Sequence, residues 1–227
     1  MRKYEFIIFD LDDTIFDFQH TQNISLQKVF KKFNMPFNDE TYRKYKEINI
    51  KMWTKLEDGL ISKEELLVGR FKEFFDHYGF DIDANEVENE YRSHINKGHH
   101  MLPNAFDTLK KLKENKYKIF AGTNGLSKTQ RMRLSDSKLI ELFDDIFISD
   151  ELGFEKPHKN FFKIIFDKYP NMNKLNTLMV GDTPNSDIKG AYEFGIDSVL
   201  IKHFKDIPNS KATYEIDKIE HILDILI

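Results

Sequence analysis

The chain has 227 residues, 40% of them hydrophobic and 14% aromatic, and its 34 Lys and Arg against 38 Asp and Glu give a formal net charge of -4. Neither sign forms the long block of a nucleic-acid arm or an acidic tail, so no nucleic acid polymer is expected as a partner. With no cysteine, disulfides, zinc-thiolate centres, iron-sulfur clusters and thiol catalysis are excluded. The apolar run nearest the start, Phe6 to Phe9, is too short for a signal peptide or a membrane span, and the expectation is a soluble, cytoplasmic protein with no membrane partner.

Taken in chain order, Phe6, Ile7, Ile8 and Phe9 predict a short strand buried on both faces. Asp10, Asp12, Asp13 and Thr14 follow at its C-terminal end, where ligands bind in open parallel sheets. Strand alternation would turn Asp10 and Asp12 to the same side. On these residues alone, a chemical site and an ordinary polar turn are equally good readings.

After Thr14 the pattern becomes helical for some eighty residues. Ile24, Phe30 and Phe33 recur near helical spacing until Asn34, Pro36 and Asn38 break the run. A second helix is predicted over Glu40 to Glu57, stopped by Asp58 and Gly59. Ser62 and Glu65 form a capping-box signature for a third, which carries Leu66, Phe71, Phe74 and Phe75 and meets a left-handed stop at Gly79. A fourth is expected over Ala84 to Lys97.

From Leu102 onward strands and helices alternate: helix Asn104 to Asn115, strand Lys118 to Thr123, helix Thr129 to Leu142, strand Asp145 to Ser149, helix Pro157 to Tyr169, strand Thr177 to Gly181, helix Ser186 to Phe194, strand Ser198 to Ile201. A last strand near Ala212 to Glu215 and a last helix near Ile219 to Leu226 complete the series. Apolar runs separated by amphipathic helices predict an α/β domain with a doubly wound parallel sheet. The first strand then belongs to a sheet whose other members follow residue 100. Residues 1–15 and 101–227 are read as the core, and 16–100 as an inserted helical cap, a substrate lid hinged at 15–20 and 96–103.

Distinctive polar groups stand at four strand ends: DLDDT at Asp10 to Thr14, TNG at Thr123 to Gly125, KP at Lys156 and Pro157, and GDTPNSD at Gly181 to Asp187. In this order they resemble the four motifs of the haloacid dehalogenase-like superfamily, and the resemblance covers nearly the whole chain, with the insertion similar to the family's helical cap. It implies a Rossmann-like core and a Mg²⁺-dependent phosphomonoester hydrolase acting through an aspartyl-phosphate. By the same resemblance, Asp10 is the nucleophile and Asp12 the acid and base. Asp10, the main-chain carbonyl of Asp12, and Asp182 hold the metal, with Asp187 supporting it. Thr123, Asn124 and Lys156 bind the phosphoryl group.

The charge balance agrees. Two carboxylates about 4 Å apart at an effective dielectric near 20 repel by about 4 kcal/mol. A hard divalent cation relieves such a cluster, and few protein ligands plus a substrate phosphate suit Mg²⁺. Asp12 also favours phosphoryl chemistry over dehalogenation, which needs no acid for an alkoxide leaving group. No catalytic role falls to Asp13.

The run Gly122 to Pro157 looks most like the pyrimidine 5'-nucleotidase subgroup, including noncanonical pyrimidine nucleotidases, which implies a small-molecule phosphate ester, a nucleotide, as substrate. Gln130, Arg133 and Leu134 carry that resemblance, on a helix read as lying outside the catalytic constellation. Phe18, Trp53 and Phe71 are candidates for stacking on a base, with Phe71 better read as core. The adjacent His99 and His100 are read as exposed hinge residues rather than a metal pair. A sugar-phosphate phosphatase or phosphomutase is the alternative within the fold, and a phosphoacceptor signalling module the alternative without turnover. Monomer and homodimer are both compatible with the sequence.

Overall fold

Phe6 to Phe9 alternate between two cores. Ile7 and Phe9 pack with Ile119, Ala121, Leu178 and Val180 on one face of the sheet, and Phe6 and Ile8 with Phe120, Phe147, Phe161 and Met179 on the other. A strand with apolar side chains on both faces must be covered on both, which is why it sits in mid-sheet.

The computed structural model describes residues 3–203 and 205–227. In chain order the elements are β1 (Phe6–Phe9), α1 (Phe18–Lys32), α2 (Asp39–Glu57), α3 (Lys63–Tyr78), α4 (Ala84–Ile95), α5 (Ala105–Glu114), β2 (Lys118–Thr123), α6 (Ser127–Asp136), β3 (Asp145–Ile148), α7 (Ser149–Leu152), α8 (Lys159–Lys168), β4 (Thr177–Gly181), α9 (Lys189–Phe194), β5 (Asp197–Ile201), β6 (Tyr214–Ile216) and α10 (Leu223–Leu226). The strands form one sheet in the order β3-β2-β1-β4-β5-β6, every pairing parallel. This is the doubly wound α/β fold. Because the chain builds outward from β1 in one direction and then in the other, the order reverses between β1 and β4, and the crevice beyond their C-terminal ends is the binding position of such sheets. Phe9 pairs with Ala121 and with Val180, so Asp10 emerges between Gly122 and Gly181.

The chain divides into two compact units, one of Met1–Phe18 with His99–Ile227 and one of Gln19–Gly98. In the second, Phe30, Tyr45, Phe71, Phe74, Phe75 and Tyr91 are all buried and their rings lie in mutual contact. Phe71 is therefore core, as its helical position suggests. Arg70 is also buried there, donating to Asn49 and Glu88, since a guanidinium in an apolar setting needs a charged partner. The Ser62/Glu65 capping box and the left-handed Gly79, at a φ of 73°, bound α3 where the sequence places them. In the first unit, the two passes of chain nearest the division run side by side: Asp17 N–H donates to the His100 carbonyl and Leu102 N–H to the Ile15 carbonyl.

Three expected helices are interrupted. The helix predicted over Thr129 to Leu142 stops at Asp136, because Lys138 takes a left-handed φ of 60° and a 3-10 turn, Leu139–Glu141, follows. That turn drops Leu139 into the same core as Leu134. The first residues of the helix predicted from Ser186 lie instead in a π-helical turn, Pro184–Ile188, and α9 begins only at Lys189. The last helix is a 3-10 turn, Ile219–Ile222, before the short α10.

Candidate active site

β1 ends at Phe9 and Asp13 has a left-handed φ of 55°, so strand alternation does not reach Asp12. The two aspartates part company: Asp10 turns to Lys156, whereas Asp12 turns to α6.

Asp10 is nearly buried and is fixed by its N–H bond to the Val180 carbonyl (2.8 Å). Its Oδ1 accepts from Lys156 Nζ at 2.7 Å. Lys156, 1% exposed, also donates to Asp187 Oδ1 and to the Gly122 carbonyl, so all three ammonium protons are placed. The loop carrying Lys156 is held from the other side by Asn124, whose Oδ1 accepts from the Lys156 N–H (2.8 Å) and whose Nδ2 donates to the Lys156 carbonyl (2.9 Å). The Lys156–Pro157 peptide is cis.

Asp182 and Asp187 come from the end of β4 and the π-helical turn after it. Asp187 Oδ2 accepts from the Thr183 N–H at 3.1 Å, and a Cβ on Gly181 would lie 2.1 Å from that oxygen, so only glycine leaves room for the carboxylate. Carboxylate oxygens of Asp10, Asp182 and Asp187 all lie within 4.8 Å of one another.

Burial pushes the Asp10 carboxyl up to about 8; Lys156 opposes that rise, and the Asp187 and Asp12 charges add to it. Asp182 is likewise raised well above the usual carboxylate range, first by burial and then by Asp10, Asp13 and Asp187. Burial works against the charge on Lys156, yet Asp10 and Asp187 hold it above the ordinary lysine value. One ammonium cannot neutralise three carboxylates, and the remaining excess of negative charge on hard oxygen donors suits a divalent cation.

The neighbouring groups differ in part from expectation. Thr123 is buried at the end of β2, with Oγ1 accepting from the Gly125 N–H (3.1 Å) and from Gln130 Nε2 (3.0 Å). Gln130 and Arg133 do not lie outside the constellation: Gln130 Nε2 donates to Asp12 Oδ2 at 2.8 Å and Arg133 Nη1 to Asp12 Oδ1. The signal was present, since residues three apart on a helix share a face, and Gln130, Arg133 and Leu134 all turn inward where apolar side chains would be usual. His203, after β5, was also missed; its Nε2 donates to the Asp13 carbonyl at 2.6 Å. The ring of Phe18 lies against the Arg133 guanidinium, 5.7 Å from centroid to Cζ. Trp53 is half-buried on α2, and His99 and His100 are exposed.

The fold and these side chains define a doubly wound α/β protein whose switch point holds three carboxylates, two of them bonded by one buried lysine, an arrangement able to take up a divalent cation. Residues 7–201 match the model of the haloacid dehalogenase-like hydrolases, and the chain belongs to that family. It is 35% identical to the HAD-hydrolase YfnB of Bacillus subtilis over 100% of this chain and 97% of that protein. The crystal structure of YfnB bound to magnesium resembles this one with a TM-score of 0.94, over 99% of both chains. The chain is also 32% identical to the pyrimidine 5'-nucleotidase PynA of Streptococcus pneumoniae, covering 98% of this chain and 95% of that one. For the pyrimidine 5'-nucleotidase YjjG of Escherichia coli the identity is 28%, over 99% and 98%. Among the described residues no helix is long and apolar enough to cross a membrane.

Proposed function

We propose that the protein is a Mg²⁺-dependent phosphomonoester hydrolase acting through an aspartyl-phosphate on Asp10, with pyrimidine nucleoside 5'-monophosphates as its substrate class. The observation that carries the chemistry is the gathering of Asp10, Asp182 and Asp187 at the switch point, with Lys156 bonded to the first and the last of them. The substrate class rests on full-length similarity to the two pyrimidine 5'-nucleotidases.

Asp10, Asp182 and the Asp12 main-chain carbonyl would hold Mg²⁺. Asp187, whose two oxygens already accept from Lys156 and Thr183, would support that set. When bound, the cation polarises a phosphoryl oxygen and offsets the carboxylate charge. Asp10 attacks phosphorus; as the new O–P bond forms, the ester P–O bond breaks and its electron pair leaves on the ester oxygen, which takes a proton from Asp12. Asp12 then removes a proton from the attacking water, the Asp10–phosphorus bond breaks, and inorganic phosphate and the original carboxylate are released. Lys156 places positive charge beside the transferring group and Thr123 offers it a hydroxyl. The helical unit of residues 16–100 acts as the lid that excludes water and selects the substrate, with Phe18 and Trp53 as the residues for the base.

The test is a panel of nucleoside monophosphates, sugar phosphates and generic esters assayed with Mg²⁺ and with chelator, alongside Asp10→Asn. Hydrolysis should require Mg²⁺, favour pyrimidine nucleotides and vanish in the variant. Chelator-resistant turnover, or full activity in Asp10→Asn, would remove the mechanism; a preference for sugar phosphates would remove the substrate assignment.

A further inference from the structure

The Asp12 side chain, in the loop after β1, is engaged by two residues of α6. Both of its oxygens are engaged, Oδ1 by Arg133 and Oδ2 by Gln130, and Arg133 Nη1 donates in turn to Gln130 Oε1 at 3.0 Å, closing a ring of three side chains. Gln130 also donates to Thr123, tying this ring to the end of β2. The two α6 residues are 1% and 0% exposed, whereas the Asp12 side chain keeps 30% of its surface open.

Burying a guanidinium outright is costly unless it is paired, and here its cationic face is also covered by Phe16, 4.3 Å from the Cζ. Space for the glutamine is set by Gly125, where a Cβ would stand 2.3 Å from Gln130 Nε2. A fold needing only a stable α6 would be served by apolar residues at both positions. What the pair secures is the plane and direction of one half-exposed carboxylate, while each of its oxygens retains a lone pair.

We propose that Gln130 and Arg133 are positioning residues for Asp12, holding its carboxylate toward the ester oxygen during proton transfer. The inference rests on the phosphatase reading above. Neither side chain exchanges the proton; both act through the orientation of Asp12, and misplacement by an ångström is enough to cost about 10²-fold in a proton-transfer step.

The test uses kcat/KM, which reports events through phosphoryl transfer to Asp10, for an alkyl phosphate and for p-nitrophenyl phosphate, whose leaving group departs without protonation. Gln130→Met retains bulk but no hydrogen bond to Asp12, and Arg133→Lys retains charge but not the planar fork. Either variant should lower kcat/KM for the alkyl ester by about 10- to 100-fold, and for the aryl ester at least about tenfold less. In an Asp12→Asn background, Gln130→Met should add less than about twofold, because the group it positions is already gone. Equal losses on the two esters, or an undiminished loss in the Asp12→Asn background, would overturn the positioning role while leaving the phosphatase reading intact. A wild-type protein that hydrolyses neither ester would overturn both.

Discussion

Lys156 shows how the site is built residue by residue. Its ammonium bonds two buried carboxylates and one carbonyl, so removing it strands charge in a desolvated place rather than deleting a surface contact. Breaking a buried pair in this way costs about 3–5 kcal/mol. Lys156→Met should lose about that much unfolding free energy in urea denaturation and fall about 10²–10³-fold in activity; a variant of unchanged stability would show that the carboxylates find other partners. Gly181 makes a complementary case, since its missing Cβ is what admits Asp187. Gly181→Ala must displace that carboxylate from Lys156 and Thr183. Activity titrated against Mg²⁺ should show the half-saturating concentration raised about 10-fold, in line with the loss of a supporting group around a metal, and an unaltered titration would count against Asp187's supporting role.

Among the elements, Asp144, just before β3, ties that strand to α5 and β2. Asp144 accepts from Lys113 on α5, from Lys118 and from the Ile119 N–H on β2. Partial burial alone would raise its carboxyl, but these donors outweigh that and hold it below the usual range. A carboxyl depressed in the folded state contributes stability above its unfolded value and loses it as pH falls through the folded one. Asp144→Asn should therefore unfold at a lower temperature than wild type at pH 7, with the gap closing as pH falls below the ordinary aspartate value; a gap that persists in acid would point to packing instead.

The same scale shows what was legible in the sequence. β2 and β4 carry unbroken apolar runs, which fixes both their bounds and their mid-sheet place, and the two ends of α3 are readable from Ser62 and Glu65 at its start and Gly79 at its stop. The breaks after Asp136 and before Lys189 were not, because a left-handed Lys138 and a π-helical turn at Pro184 are set by tertiary packing rather than by local preference. At the site, strand ends foretold where Asp10 and Asp182 would stand. The shared face of Gln130 and Arg133 on α6 could be read from their spacing, but not that Asp12 is what they meet, because they lie 118 and 121 residues further along the chain and only the docking of the helix brings them together.

For the molecule as a whole, the proposed function places the chemistry in the doubly wound unit and the choice of substrate in the helical one. Trp53→Ala should shift the ranking among nucleotides by more than it changes hydrolysis of p-nitrophenyl phosphate; equal losses on both would deny the helical unit's tryptophan a role in selection. In the proposed mechanism Asp10 carries the phosphoryl group. Incubation with substrate and Mg²⁺, an acid quench within one turnover, and mass analysis of the peptide spanning Phe6 to Thr14 address it directly. A phosphoryl adduct on Asp10, absent from Asp10→Asn, is the expected outcome. Turnover with no adduct on that peptide, or an adduct on another residue, would contradict it.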